Sequence, residues 1–206
     1  MQWYETDVQE VEQKIKKLHY TPSVLFYGSS SFRLWNTLYD DFKPYQPVNI
    51  GFGGSTLEAC VYFFPRIMQH MKPKHVVVYA GDNDLGDGKS PETVLNYFIQ
   101  LNGQVKARFG NTPFTFLSVK PSITRWNINH SIVHTNLLIK ETIEQMNSNT
   151  YFLDIYEPML NSAGRPRKNL YDTDGLHLSA DGYQLWKEII LNHISSQFNN
   201  SFMGCA

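Results

Sequence analysis

Three consecutive serines, Ser29, Ser30 and Ser31, follow Gly28 at the end of a short apolar run. Far along the chain, Asp174 and His177 stand three residues apart. A serine hydroxyl is a poor nucleophile until a base accepts its proton, and a histidine is the usual base. That base needs an acceptor on its other ring nitrogen, and Asp174 is near enough to reach His177 across one turn. Acyl transfer also needs donors aimed at a developing oxyanion. The N–H of Gly54, the side-chain amide of Asn83 and the N–H of Ser30 have the right chemistry. Read alone, the serines serve equally well as a turn and a helix cap.

Elements must bring these residues together. The apolar run at 23–27 has the length and aromatic and β-branched content of a buried strand, and helical spacing follows it at Phe32, Leu34 and Trp35. Further strands are predicted at 48–50, 75–79, 114–119 and 151–155, the third continuously apolar as a strand buried on both faces should be. Helices are predicted at about 8–18, 57–68 (with Pro73 breaking it), 91–108, 128–147 and 180–198. Ser90 and Pro91 have the chemistry of a cap and a first-turn proline. Strands alternating with helices imply a parallel sheet covered on both faces. The strand exits then share one edge, where open α/β sheets bind ligands. The expectation is a single domain over 1–206, with its core at about 23–198 and a frayed tail at 199–206.

Composition narrows the class. The 206 residues carry 18 basic and 19 acidic side chains, a net charge of −1, which favours neither nucleic acid nor an anionic membrane. No run reaches transmembrane length, and the first dozen residues carry acidic groups and no apolar segment, so neither a signal peptide nor an integral membrane contact is expected. Cys60 and Cys205, the only cysteines, are not expected to pair, and a cytoplasmic setting is the default. Gly53-Gly54 fails the dinucleotide pattern because Thr56 holds its third glycine position. Asp82, Asp84 and Asp87 lack calcium-loop spacing. His130 and His134 lack the glutamate of a zinc-protease helix. No metal or organic cofactor is expected.

These blocks resemble the SGNH, or GDSL-like, hydrolase family. Gly28-Ser29-Ser30-Ser31 matches the family's Gly-Asp-Ser-Leu block, and Asn49-Ile50-Gly51-Phe52-Gly53-Gly54 its Asn-x-Gly-x-x-Gly block. Gly81-Asp82-Asn83-Asp84 matches Gly-x-Asn-Asp, and Asp174-Gly175-Leu176-His177 matches Asp-x-x-His. Ser29 and Ser31 depart from the aspartate and leucine of the first block. The resemblance implies a flavodoxin-like α/β/α sandwich with five parallel strands in the order 2-1-3-4-5. It implies Ser30 as nucleophile, with Asp174 and His177, and an oxyanion hole of Ser30, Gly54 and Asn83. The expected substrate is a small ester with a short acyl group on a bulky or polar alcohol. A lysophospholipase-like enzyme, an acyltransferase and a binding module on an inactive scaffold are the alternatives. Phe52, Arg125, Trp126 and Tyr171 are the candidates to line its pocket. The sequence gives no oligomeric state.

Overall fold

The computed structural model describes residues 1–146 and 148–203, with the backbone alone for 199–203. Its elements in chain order are α1 (Glu5–Lys16), β1 (Val24–Gly28), α2 (Ser30–Arg33), α3 (Leu38–Asp41), β2 (Pro47–Gly51), α4 (Leu57–Ile67) and β3 (His75–Tyr79). There follow α5 (Asp82–Gly86), α6 (Pro91–Phe109), β4 (Phe114–Leu117), α7 (Asn129–Gln145), β5 (Thr150–Leu153) and α8 (Ala180–Met203). The five strands form one parallel sheet in the order β2-β1-β3-β4-β5.

Strands β1 to β4 are buried throughout and the edge strand β5 only in part, yet the period of two is visible in where side chains go. Leu25 and Tyr27 of β1 and Val76 and Val78 of β3 join a core with Val8 and Val11 of α1, Phe64 of α4, Phe98 of α6 and Ile139 of α7. Their alternates, Val24, Phe26, Val77 and Tyr79, join a second core with Phe32 of α2 and Trp186 and Ile190 of α8. A sheet clamped between two cores holds its strand exits in fixed register.

Element ends differ from the expected ones, some for local reasons and some through contacts with distant segments. Helix α1 begins at Glu5, where Glu5 and Asp7 in the first turn and Lys14 and Lys16 in the last complement its dipole. Helix α4 contains Pro65 and ends at Ile67, well before Pro73. Strand β4 stops at Leu117 because the Asn136 carboxamide takes the N–H and the carbonyl of Val119, at 2.7 and 2.8 Å. Strand β5 stops at Leu153, since the Ser118 hydroxyl accepts the N–H groups of Ile155 and Tyr156 at 2.9 and 3.0 Å. Helix α8 continues through 199–203, expected as frayed tail. The rest of that tail, 204–206 with Cys205, and the expected end of α7 at Asn147 lie outside the described residues.

Candidate active site

The site begins where β1 ends. Gly28 has φ +141°, and a Cβ there would lie 1.9 Å from the carbonyl oxygen of Tyr79 on the neighbouring strand. Only glycine fits that crossing. The chain then turns, with the N–H of Ser29 donating to the Tyr79 carbonyl at 2.9 Å, and Ser30 opens α2. The turn separates the three serines: Ser29 and Ser31 are each 1% exposed, whereas Ser30 is half-buried and faces the sheet edge. The Tyr183 hydroxyl, from α8, donates to the Ser31 carbonyl at 3.0 Å and ties α2 to the last helix.

Ser30 Oγ lies 3.2 Å from His177 Nε2, and His177 Nδ1 lies 2.6 Å from Asp174 Oδ2. The other carboxylate oxygen of Asp174 accepts the N–H groups of Leu176 and His177 at 2.8 and 2.9 Å. The Leu176 N–H, followed by the His177 ring and N–H, holds the Asp174 carboxyl down at about 2. An ionised carboxylate on Nδ1 keeps the proton there and leaves Nε2 free to accept one from Ser30.

The Asp174 loop is clasped by the loop after β4. The N–H groups of Ile123 and Thr124 donate to the Gly175 carbonyl, and the Thr124 hydroxyl donates to that of Asp174. Gly175 has φ +65°, and a Cβ would meet Thr124 Oγ1 at 2.9 Å. No family block marks residues 122–125, so the clasp had no signal in the sequence beyond its position at a strand exit.

The expected oxyanion donors lie on three adjoining exits. Among the described residues no acceptor meets the N–H of Ser30 or of Gly54. Gly54 has φ +62° with open space around it, so the left-handed backbone alone favours glycine there. Its carbonyl accepts a bond from the Tyr4 hydroxyl at 3.3 Å, which ties the loop to the N-terminal segment. Asn83 Nδ2 donates one hydrogen to the Ser55 carbonyl at 3.1 Å, and Asn83 Oδ1 accepts from Arg125 Nη2 at 2.9 Å.

The acidic residues around Asn83 are engaged with protein partners. Asp84 Oδ2 and Oδ1 accept the N–H groups of Leu57 and Glu58, at 2.6 and 3.3 Å, and so cap α4 directly behind the Gly54 loop. Burial pushes the Asp84 carboxyl up to about 6 in spite of those bonds. Asp82 pairs with the buried Lys120 at 3.1 Å and with Arg125 at 3.4 Å. Burial would raise its carboxyl, but Lys120 and then Arg125 hold it below the ordinary value. Among the described residues no group of three or more His, Cys, Asp or Glu is placed to hold a metal ion.

The four pocket candidates divide. Phe52 is 1% exposed and packs edge-on against Tyr4 and Phe63, so it belongs to the core. Tyr171 is likewise buried, its hydroxyl donating to the Pro121 carbonyl at 2.7 Å. Both are aromatic residues beside site blocks, and residue type alone does not separate a pocket wall from a core filler. Trp126 is half-buried under the Arg165 guanidinium, 4.4 Å from its ring centre. Arg125 is turned towards Asp82 and Asn83. A cleft of about 550 Å³ opens beside His177, lined by Leu34, Asn36, Thr37, Asp172, Tyr183 and Gln184.

A sheet with Ser, His and Asp joined at one edge defines an α/β protein built like the serine acylhydrolases. The model of the GDSL-like lipase/acylhydrolase family matches residues 20–185, and the chain belongs to that family. No curated protein matches it. Among solved structures, a Streptococcus pneumonia protein described as a platelet activating factor is 20% identical, with a TM-score of 0.80 over 93% of this chain and 94% of that one. A GDSL-like lipase from Bacteroides thetaiotaomicron is 21% identical, with a TM-score of 0.75 over 94% and 98%. A carbohydrate esterase family 3 enzyme from Talaromyces cellulolyticus is 14% identical, with a TM-score of 0.73 over 87% and 99%. These likenesses establish the fold. Among the described residues no helix is long and apolar enough to cross a membrane.

Proposed function

We propose that this chain hydrolyses carboxylic esters through an acyl-enzyme on Ser30. The observation that carries the reading is the unbroken line from Ser30 Oγ to His177 Nε2, at 3.2 Å, and from His177 Nδ1 to Asp174, at 2.6 Å. His177 Nε2 takes the proton as Ser30 Oγ attacks the acyl carbon. The N–H groups of Ser30 and Gly54 and the second amide hydrogen of Asn83 receive the negative oxygen. The imidazolium then gives its proton to the leaving alcohol, and a water activated by the same nitrogen releases the acid.

The cleft beside His177 supports a polar alcohol. Asn36, Thr37, Asp172 and Gln184 offer it hydrogen-bonding groups, beside the short apolar side chains of Leu34, Leu178 and Ala180 and the ring of Tyr183. An acyl chain gains roughly 0.8 kcal/mol per methylene only where it is buried. The substrate is therefore a short acyl group, acetate to about butyrate, on a polar alcohol such as a sugar. The similar structures include a carbohydrate esterase and a GDSL-like lipase, which fit the two sides of this choice.

Hydrolysis of p-nitrophenyl esters from C2 to C12 by the native protein and Ser30→Ala tests both halves. The expected result is a kcat/KM maximum at C2 to C4 and no turnover above buffer in the variant. Turnover retained by Ser30→Ala overturns the mechanism, and a maximum at C8 or beyond overturns the substrate class.

A further inference from the structure

We infer that Arg125 is a positioning residue for the oxyanion hole, fixing the orientation of the Asn83 carboxamide from behind. This rests on the reading of Ser30 and Asn83 as acyl-transfer groups. A carboxamide has an acceptor at one end and two donors at the other, and an oxyanion needs the donor end. A guanidinium has donors only. Arg125 Nη2 meets Asn83 Oδ1 at 2.9 Å, so the amide is held with its oxygen towards the arginine. Rotated by half a turn, the same amide would set donors against donors. The Nδ2 end, with one hydrogen on the Ser55 carbonyl at 3.1 Å, keeps its second hydrogen for the reacting oxygen.

The arginine is itself held. Its Nη1 donates to the Asp82 carbonyl at 2.8 Å and lies 3.4 Å from the Asp82 carboxylate. That carboxylate is paired with Lys120, whose side chain is 1% exposed and which also donates to the Tyr79 hydroxyl at 3.2 Å. The Arg125 N–H is anchored on the Ser122 hydroxyl at 3.0 Å. Gly86 makes the space: a Cβ there would lie 3.0 Å from Arg125 Cζ and 3.1 Å from Nε and Nη2. A planar fork holds a backbone carbonyl and a carboxamide in one fixed geometry, which the compact ammonium of a lysine on its flexible stem does not impose. The arginine thus serves Asn83 and is committed away from substrate.

The test is a kinetic double-mutant cycle on a short p-nitrophenyl ester, with melting temperatures recorded. Asn83→Ala is expected to lower kcat by about 10²–10³, the loss usual for one oxyanion donor. Arg125→Gln should lower kcat by about ten- to a hundredfold, as a misplaced catalytic group does, with KM within about twofold of the native value. Arg125→Lys, which keeps a cationic donor, should fall between the native protein and Arg125→Gln. The distinguishing result is non-additivity: in Asn83→Ala the further change Arg125→Gln costs nothing more. If Arg125→Gln does not fold, Gly86→Ala keeps the arginine but crowds it, and its slower kcat should likewise vanish in the Asn83→Ala background. Multiplicative losses, or a raised KM with kcat unchanged, overturn the inference and leave the Ser30 reading standing. Turnover retained by Ser30→Ala overturns that reading and the inference with it.

Discussion

At the scale of single residues, the structure separates groups that the sequence presents as equals. Ser29, Ser30 and Ser31 are identical in type and adjacent, and in the sequence only the family resemblance, through the position after Gly28, picks out Ser30. The turn forced at Gly28 does so physically, by burying the two outer serines and leaving Ser30 against His177. Asp174 has the opposite history: its spacing from His177 was enough to pair them, because one turn of chain brings i and i+3 together. Its carboxyl, held at about 2, gains stability from ionisation that is present above 3.8 and lost as pH falls towards 2. Through the assay range it stays charged, so Asp174 itself is expected to add no ionisation to the acid limb of kcat/KM. Asp174→Asn should lower kcat by about 10³–10⁴, the cost of the wrong imidazole tautomer, in a protein that still folds. A rate within tenfold of the native one, as an order-of-magnitude bound, would contradict the pairing.

At the scale of elements, the strands and most helices follow from apolar runs and cap residues, while their ends follow from contacts between segments far apart in sequence. Asn136 reaches 17 positions back to end β4, and Ser118 reaches 37 forward to end β5. No local rule connects such pairs. Asp84 is the clearest case. Its acidic neighbours lack calcium-loop spacing, and nothing local gives it another role, yet it caps α4 from 27 positions away and so supports the Gly54 loop. Asp84→Ala is expected to destabilise the protein by about 0.5–2 kcal/mol, the usual worth of a helix cap, and to lower kcat through the loosened loop. Calorimetry and steady-state kinetics on one preparation check it. Loss of stability with kcat untouched would show that the cap does not reach the site.

At the scale of the whole molecule, the sheet puts chemistry at one end and a buried histidine pair at the other. His75 on β3 meets the Thr115 hydroxyl at 2.8 Å, and that hydroxyl meets His193 of α8 at 2.8 Å. Burial pushes the His75 ring down to about 3, and the same cause lowers His193. Native His75 thus binds fewer protons than the unfolded chain between about 3 and 6.5, so stability is lost as pH falls through that window. Asp84 acts in reverse, because its raised carboxyl costs stability as pH climbs from 3.8 towards 6. Comparing variant with native isolates the histidine: the melting temperature of His75→Asn should fall less steeply from pH 6.5 to 3 than the native one. Equal slopes would contradict this. The sheet order and the meeting of Ser30, Asn83, Asp174 and His177 at one edge were expected from the blocks and the family resemblance together. The clasp of 122–125 and the Lys120–Asp82–Arg125 chain were not, since they depend on side chains crossing between exits.

The central claim, an acyl-enzyme on Ser30, is tested most directly by trapping the nucleophile. The native protein is treated with a fluorophosphonate, digested, and the modified peptide sequenced by mass spectrometry, with a parallel sample of His177→Ala. The account predicts one adduct, on Ser30, formed far more slowly when His177 is absent. An adduct on Ser29 or Ser31, or one on Ser30 whose rate ignores the loss of His177, would contradict it.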